Sequence, residues 1–285
     1  MDIRWAEEIQ ASPIRKPKPL IPGLVNQGEL VMLSGMWDSY KSTLAMEMAT
    51  AVASGRDFLD AWPVARQCPA LIIQKEIHPG FFDERVIMAT EGLGNIPLAV
   101  SYGGTGGGFN FDPGYKAILQ QVIEEHGFGL IIFDPLTNFW PTEQWFDENK
   151  ADKVAMVLRP LLNLRRTGCT FMLVHHDTKE QLGMSNQARG SSVLLNDPDV
   201  RIRIIRSAGG GASIVFRNRN QKQPPTLHVV WEGGRLMSRA KVEEDIQDMY
   251  YGEGKSMRDI AREVGVSPAT IHRRVHKQAR VDNAI

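Results

Sequence analysis

The chain has 285 residues, of which 42% are hydrophobic and 23% are charged, and its formal net charge at pH 7 is zero. This composition is typical of a globular protein, and the length suits one α/β domain of about 200–250 residues with a small appendage. A neutral chain has no global field that attracts nucleic acid, so such binding requires local basic patches.

Other compositional signals argue against a membrane or secreted protein. No apolar run approaches the roughly 18 residues of a membrane span, and the start "MDIRWAEEIQ" lacks the apolar segment of a signal peptide. Cys68 and Cys169 form neither a CxxC motif nor a zinc spacing, which favours buried thiols in a reducing compartment. We therefore expect a cytoplasmic protein that does not contact membranes.

Residues 1–28 contain several prolines, and we expect an extended lead-in because each proline restricts the residue before it. Four short apolar runs follow, separated by helical patterns. Continuous apolar runs of this length are typical of buried parallel strands in an α/β sheet. They are "ELVMLSG" (29–35), "PALIIQKE" (69–76), "GLIIFDP" (129–135) and "TFMLVHHD" (170–177).

Helices are predicted between these strands, and two of them end at a glycine, as helix C-termini prefer. A glycine-rich stretch, 101–111, is predicted to form a loop that is either flexible or faces a substrate. Three later segments alternate in polarity and indicate an antiparallel extension of the sheet. The helices are 41–55, 113–127 and 149–168, and the later segments are 200–207, 212–220 and 226–236.

The stretch "LSGMWDSYKSTLAM" matches most of the phosphate-binding motif G-x-x-x-x-G-K-[ST], in which backbone N–H groups, a lysine and a hydroxyl bind phosphates and Mg²⁺. Tyr40 replaces the second glycine, and Asp38 adds a carboxylate that repels phosphate unless it turns outward. We expect the nucleotide to contact Gly35, Met36, Trp37, Asp38, Ser39, Tyr40, Lys41, Ser42 and Thr43.

Two acidic residues follow predicted strands, at the sheet edge where α/β proteins place ligand chemistry. Asp134 ends "GLIIFDP", and with Ser42 it suits Mg²⁺ binding. Glu76 ends "ALIIQKE", where a carboxylate near a γ-phosphate can activate water as a general base. A single acid here is equally compatible with a solvated strand end. The phosphate-binding motif followed in order by Glu76 and Asp134 favours nucleotide binding.

The region from Pro17 to about Arg235 resembles the RecA-like P-loop ATPases of the plasmid RepA-type hexameric helicase group, relatives of DnaB and KaiC. The matching pieces include the phosphate loop, "LIIQKE", "LIIFDPL", "FMLVHHDTK" and "FRNRNQ". The resemblance implies an α/β fold with a RecA-like core and a mostly parallel central sheet, over residues 29–238. It also implies ATP and Mg²⁺ as cofactors, and a homo-oligomer that is a hexameric ring or a helical filament.

The resemblance further implies residue roles. Glu76 would be catalytic, Asp134 would be the Walker B aspartate, and His175 or His176 would sense the γ-phosphate. Arg217 and Arg219 would act on the nucleotide of a neighbouring subunit. The simpler alternatives are a core and a surface histidine, and two solvated arginines on a strand face.

In this family, single-stranded DNA binds to loops that here cover residues 137–152 and 177–192. The first loop contains Trp140 and Trp145, which suit base stacking, or alternatively packing against a neighbouring subunit. The second loop offers Lys179 and Arg189 for phosphates.

The C-terminal residues 239–285 are predicted to form a small all-α helix-turn-helix domain that binds duplex DNA. Ser256 and Ser267 are placed to cap two successive helices, and the segment resembles resolvase-type helix-turn-helix segments. A protein–protein role is the alternative for this module. The residues that we expect to contact DNA are Thr270, His272, Arg273, Arg274 and Lys277.

These features favour an oligomeric, ATP-hydrolysing DNA motor or loader of a plasmid, phage or other mobile element. Two alternatives stay open. One is a DNA-binding regulator in which bound nucleotide acts as a switch with little turnover. Asp38 and Tyr40 favour this alternative. The other is a filament protein in which ATP drives only assembly.

Overall fold

The computed structural model describes residues 3–13, 16–103, 108–177, 192–207, 211–232, 234–264 and 266–278. Two residues that we predict to bind DNA, Lys179 and Arg189, lie outside these ranges, and so does the side chain of Lys277. None of the described helices is long and apolar enough to cross a membrane.

Within the described residues, nine strands form one mixed sheet, in the order β11-β10-β9-β8-β3-β7-β6-β4-β5. The six strands from β8 to β5 in this order run parallel to one another, and β9, β10 and β11 extend the sheet in antiparallel fashion from β8. The predicted α/β architecture is therefore confirmed. The strands are β3 (Leu30–Gly35), β4 (Ala70–Gln74), β5 (Leu98–Tyr102), β6 (Leu130–Asp134), β7 (Thr170–His176), β8 (Val200–Ser207), β9 (Gly211–Asn218), β10 (Leu227–Glu232) and β11 (Arg235–Ser238).

Helices cover both faces of this sheet. On one face, α2 and α3 pack against residues such as Val31 and Leu33, and on the other face α4 and α5 pack against Leu30 and Met32. This two-sided burial explains why the strands have continuous apolar runs. The helices are α2 (Lys41–Ser54), α3 (Pro79–Thr90), α4 (Tyr115–His126), α5 (Ala151–Leu164) and the short α6 (Val193–Asn196).

The prolines of the lead-in predict an extended chain, but the lead-in is not uniformly extended. A short helix, α1 (Ala6–Ala11), begins after Trp5, whose backbone N–H donates to the Glu8 carboxylate at 2.9 Å. Strands β1 (Pro19–Ile21) and β2 (Val25–Asn26) then pair in antiparallel fashion. The prolines follow α1, so they limit its length without preventing it.

Two further elements differ from the prediction. The loop predicted at 101–111 begins as β5, an edge strand that is only half-buried and therefore has a weak apolar signal. Helix α3 was not predicted, because it buries only Phe82 and leaves Phe81, Ile87 and Met88 exposed. Its apolar residues consequently do not follow one clear helical stripe.

The C-terminal region consists of α7 (Arg239–Gln247), a π-helical turn (Asp248–Gly252), α8 (Met257–Val264) and α9 (Pro268–Gln278). These elements share a small core that includes Val242, Ile260, Ile271 and Val275. Val230 of β10 belongs to the same core, so the helical region packs against the antiparallel end of the sheet.

Candidate functional site

The predicted phosphate loop connects β3 to α2. Gly35 ends β3 where there is no room for a side chain, because an added Cβ would lie 2.6 Å from Ser39 Oγ and 2.7 Å from the Ile204 carbonyl oxygen. Helix α2 begins at Lys41, so its free N–H groups are directed at the loop. A strand, a tight loop and a helix N-terminus in this order form an anion-binding site.

Two residues of the loop have left-handed backbone conformations, Asp38 with φ 57° and Tyr40 with φ 68°. Glycine usually occupies such positions, because a side chain is strained there. The carboxylate of Asp38 forms an ion pair with Arg206 of β8, which also donates to the Asp38 carbonyl oxygen at 3.0 Å. The negative charge of Asp38, which would repel phosphate, is therefore paired with a guanidinium.

Lys41 lies inside the loop and is 5% exposed. Its ammonium donates to the Met36 carbonyl oxygen at 2.6 Å, an oxygen that also accepts from Ser39 Oγ at 2.6 Å. Burial lowers the pKa of Lys41, and the carboxylates of Asp134, Asp177 and Glu76 act in the opposite direction. A cation that is partly desolvated in this way gains from a bound polyphosphate.

Asp134 ends β6, is 3% exposed and faces the N-terminus of α2. Burial raises its pKa to about 6, whereas the hydrogen bond with Ser42 lowers it. A buried carboxylate beside a hydroxyl is a donor pair that Mg²⁺ accepts together with phosphate oxygens and water. In the described part of the chain, no group of three or more His, Cys, Asp or Glu residues suits a metal ion.

Glu76 and His176 lie in the same cleft as the phosphate loop. Glu76 follows β4, and its carboxylate acts electrostatically on Lys41, Asp134 and His176. Burial, together with the Lys41 charge, lowers the pKa of His176, which favours the neutral imidazole.

Of the two candidate histidines, only His176 lines the cleft. Successive strand residues face opposite sides, and Val174 of β7 packs on the side of α2, whereas Leu173 packs on the other side. His175 therefore faces the layer of α4 and α5 and is 1% exposed. The structure thus brings His176, and not His175, together with the other predicted site residues.

The cleft has a volume of about 570 Å³. Besides the predicted residues, it is lined by residues of α3 and of the β10–β11 hairpin, which sequence reasoning missed. These residues carry no motif, and only the topology brings them to the phosphate loop. They include Phe82, Arg85, Met88, Trp231, Gly234 and Arg235.

Arg217 and Arg219 are both exposed, and neither lines the cleft. Arg217 pairs with Arg201 on β8, and the Arg219 N–H donates to the Asp199 carbonyl oxygen, near the start of β3. Both arginines thus lie toward the opposite end of the strands from the phosphate loop of their own chain.

The aromatic side chains of the predicted DNA-binding loop pack against the core of their own domain. Phe139 is 0% exposed and Trp140 is 8% exposed, and both belong to the core on the α4–α5 side. Trp145 and Phe146 pack against the same core. The expectations that Trp140 stacks on bases or packs against another subunit are therefore wrong, because its ring is inside its own domain.

The helix-turn-helix has the predicted caps. Ser256 Oγ accepts from the Asp259 N–H at 3.2 Å, and Ser267 Oγ accepts from the Thr270 N–H at 3.2 Å. On α9, His272 and Arg273 are exposed.

Arg274 of α9, in contrast, contacts a residue of the sheet. Its guanidinium contacts the Glu232 carboxylate of β10 at 2.6 Å, and the Glu232 side chain is 8% exposed. Arg274 thus joins the helix-turn-helix to the sheet, and its contact with DNA stays a prediction.

Comparisons with known proteins agree with this arrangement. A family model described as "AAA domain" matches residues 2–181, and a model described as "Helix-turn-helix domain" matches residues 244–278. No curated protein matches the chain significantly. Among solved structures, the chain is similar in fold to the RadB recombinase, with a TM-score of 0.54 and 15% identity, over 74% of this chain and 90% of that chain.

The AAA domain model covers more than half of the residues and includes the phosphate loop, Glu76 and Asp134. The fold likeness covers 74% of the chain. The chain therefore belongs to the AAA domain family, with a RecA-like P-loop ATPase fold that is followed by a helix-turn-helix.

Proposed function

We propose that the protein is a Mg²⁺-dependent ATPase that acts on DNA, with residues 29–238 as the nucleotide-binding unit and residues 239–285 as the DNA-binding unit. The observation that carries this proposal is the convergence of Lys41, Ser42 and Glu76 at one cleft beside a helix N-terminus, with Asp134 hydrogen-bonded to Ser42. These residues lie at or after the ends of three separate strands, β3, β4 and β6, so their proximity is a property of the fold.

Each of these residues has a defined task in the proposed reaction. Lys41 and the N–H groups of the loop bind the phosphates, and Ser42 with Asp134 would hold Mg²⁺, which neutralises phosphate charge when bound. Glu76 accepts a proton from the attacking water as a general base. His176, held neutral, is placed beside these groups to donate or accept a hydrogen bond near the terminal phosphate.

The ATPase proposal is tested by Lys41→Ala, with Lys116→Ala as a matched control on the exposed face of α4. We expect Lys41→Ala to lose ATP hydrolysis while its thermal unfolding temperature stays near that of the wild type. Turnover in Lys41→Ala equal to that of Lys116→Ala would refute the assignment.

We further propose that the active form is a homo-oligomer, a hexameric ring or a helical filament, of the kind found in RepA-type helicases of mobile elements. The position of Arg217 and Arg219 supports this, since they are exposed and far from their own chain's phosphate loop. In a head-to-tail assembly such residues can complete the site of the next subunit. Mixing Arg217→Ala subunits with Lys41→Ala subunits tests this, because activity is restored only if the two residues act in different subunits.

The helix-turn-helix is proposed to bind duplex DNA through Thr270, His272 and Arg273, near the N-terminal part of α9, where such helices contact base edges. Arg273→Ala should weaken binding to a preferred duplex more than Arg159→Ala, an exposed arginine on α5. The measurement is duplex affinity at fixed salt concentration.

A second candidate function is a DNA-binding regulator in which nucleotide acts as a switch with little turnover. The specific observation in its favour is the Arg274–Glu232 contact, which joins the helix-turn-helix to the strand beside the cleft. DNA-stimulated phosphate release separates the two functions. Nucleotide-dependent duplex binding without such release would favour the nucleotide-switched regulator. Assembly of the protein driven by a non-hydrolysable ATP analogue would favour a filament protein.

A further inference from the structure

The residue before Lys41 has a conformation that its residue type disfavours. Tyr40 has φ 68°, at the position where the phosphate-binding motif has glycine. Asp38, two residues earlier, has φ 57°. Glycine adopts such angles without strain, whereas a tyrosine or an aspartate does so only when surrounding contacts hold it.

Two side chains from other strands supply such contacts to Tyr40. Its ring stacks on that of Trp231 in β10, with centroids 6.2 Å apart and an angle of 7° between the rings. The guanidinium carbon of Arg206 in β8 lies 5.1 Å from the centroid of the same ring. These separations are within the range of favourable aromatic stacking and cation–π contacts.

Arg206 also contacts the second strained residue. It forms an ion pair with the Asp38 carboxylate and donates to the Asp38 carbonyl oxygen at 3.0 Å. Exposed ion pairs contribute little alone, but here one guanidinium contacts both left-handed residues of the loop. Arg206 itself does not line the cleft.

We infer that Trp231 and Arg206 are positioning residues for nucleotide binding, which hold the loop at residues 36–40 in its phosphate-binding conformation in place of the missing glycine. This inference rests on the proposed ATPase function. Trp231 acts through Tyr40 alone, so its effect depends on the side chain at position 40. Arg206 acts through both Tyr40 and Asp38, so only part of its effect does. A glycine at this position needs no such support.

The test is a set of single and double variants of the full chain, with a fluorescent ATP analogue as the probe. We expect Trp231→Ala and Arg206→Ala each to weaken binding about tenfold, with a corresponding increase of KM and little change of kcat. In a Tyr40→Gly background, Trp231→Ala should change binding less than about twofold relative to Tyr40→Gly alone, because a glycine needs no stacking partner. Arg206→Ala should still weaken binding there, by less than about tenfold, through its contact with Asp38.

The matched controls are Trp5→Ala and Arg201→Ala, which remove an exposed tryptophan outside the cleft and an exposed arginine of the same strand as Arg206. Both should bind the analogue like the wild type. If Tyr40→Gly is poorly folded by thermal melting, Tyr40→Asn replaces it, since asparagine also tolerates a left-handed conformation.

The outcomes separate this inference from the ATPase proposal. Loss of binding in Lys41→Ala with unchanged binding in Trp231→Ala and Arg206→Ala would overturn the inference alone. A tenfold loss on adding Trp231→Ala to Tyr40→Gly would also overturn it, because Trp231 would then contact the nucleotide directly. Unchanged binding in Lys41→Ala would overturn the ATPase proposal, and the inference with it.

Discussion

At the scale of single residues, the site is built from charged groups that are buried and mutually compensated. Lys41 and Asp134 are 5% and 3% exposed, and each shifts the ionisation of the other. Such groups destabilise a protein without its ligand and become favourable when a charged ligand arrives. Their pKa values therefore connect stability to function.

Asp134 provides a prediction on pH dependence. Burial raises its pKa to about 6. The folded state thus favours the protonated acid, and this contribution to stability is full below about pH 4 and lost as the pH rises through about 6. In the nucleotide-free protein, Asp134→Asn should raise the free energy of unfolding by about 1–3 kcal/mol at pH 8 and by nearly nothing at pH 4. Urea unfolding from pH 4 to pH 8 measures this, and a difference independent of pH would contradict it.

Several of the site residues were predictable because their chemistry is tied to a local pattern. Lys41 and Ser42 follow a glycine at a fixed spacing, and Asp134 and Glu76 end apolar runs. His175 was the exception, since adjacent histidines at a strand end differ only in the face that they point to. That face depends on which residues of β7 pack against α2.

At the scale of elements, the helix-turn-helix depends on side-chain caps. The Ser256 hydroxyl accepts the Asp259 N–H and donates to the Asp259 carboxylate at 2.6 Å, so it satisfies a free donor at the start of α8. Ser256→Ala should lower the stability of this helical region by about 1 kcal/mol. Amide hydrogen exchange in α8 measures this, with Ser101→Ala on β5 as the control. Equal protection of α8 in both variants would contradict the capping role.

Strands and helices with strong apolar patterns were predicted well, and elements with weak patterns were not. The runs at β3, β4, β6 and β7 are buried on both faces, so their sequences are almost wholly apolar. Helix α3 buries one residue and therefore lacks such a signal. It nevertheless lines the cleft, so its absence from the prediction hid part of the site.

At the scale of the whole molecule, the contact between Arg274 and Glu232 joins the DNA-binding unit to the sheet. Removing one partner of a largely buried ion pair leaves the other unpaired and desolvated. Arg274→Ala should therefore destabilise the docking of α9 on β10 by about 1–3 kcal/mol. The double variant Arg274→Ala, Glu232→Gln should recover part of this loss, because it no longer leaves a buried charge unpaired.

Limited proteolysis between residues 238 and 257 measures this docking, with Arg258→Ala, an exposed arginine of α8, as the control. A double variant that is cleaved faster than Arg274→Ala would contradict the assignment. This contact was not predictable from sequence, because it joins residues 42 positions apart in two units that we expected to be separate.

The central claim is that residues of three strand ends form one ATPase site. The most direct test is steady-state ATP hydrolysis with Mg²⁺, in the presence and absence of DNA, for the wild type and for Glu76→Gln, which keeps the shape of the side chain but removes the base. We predict that Glu76→Gln binds the nucleotide with wild-type affinity and hydrolyses it at least about 100-fold more slowly. Hydrolysis at the wild-type rate in Glu76→Gln would contradict the account.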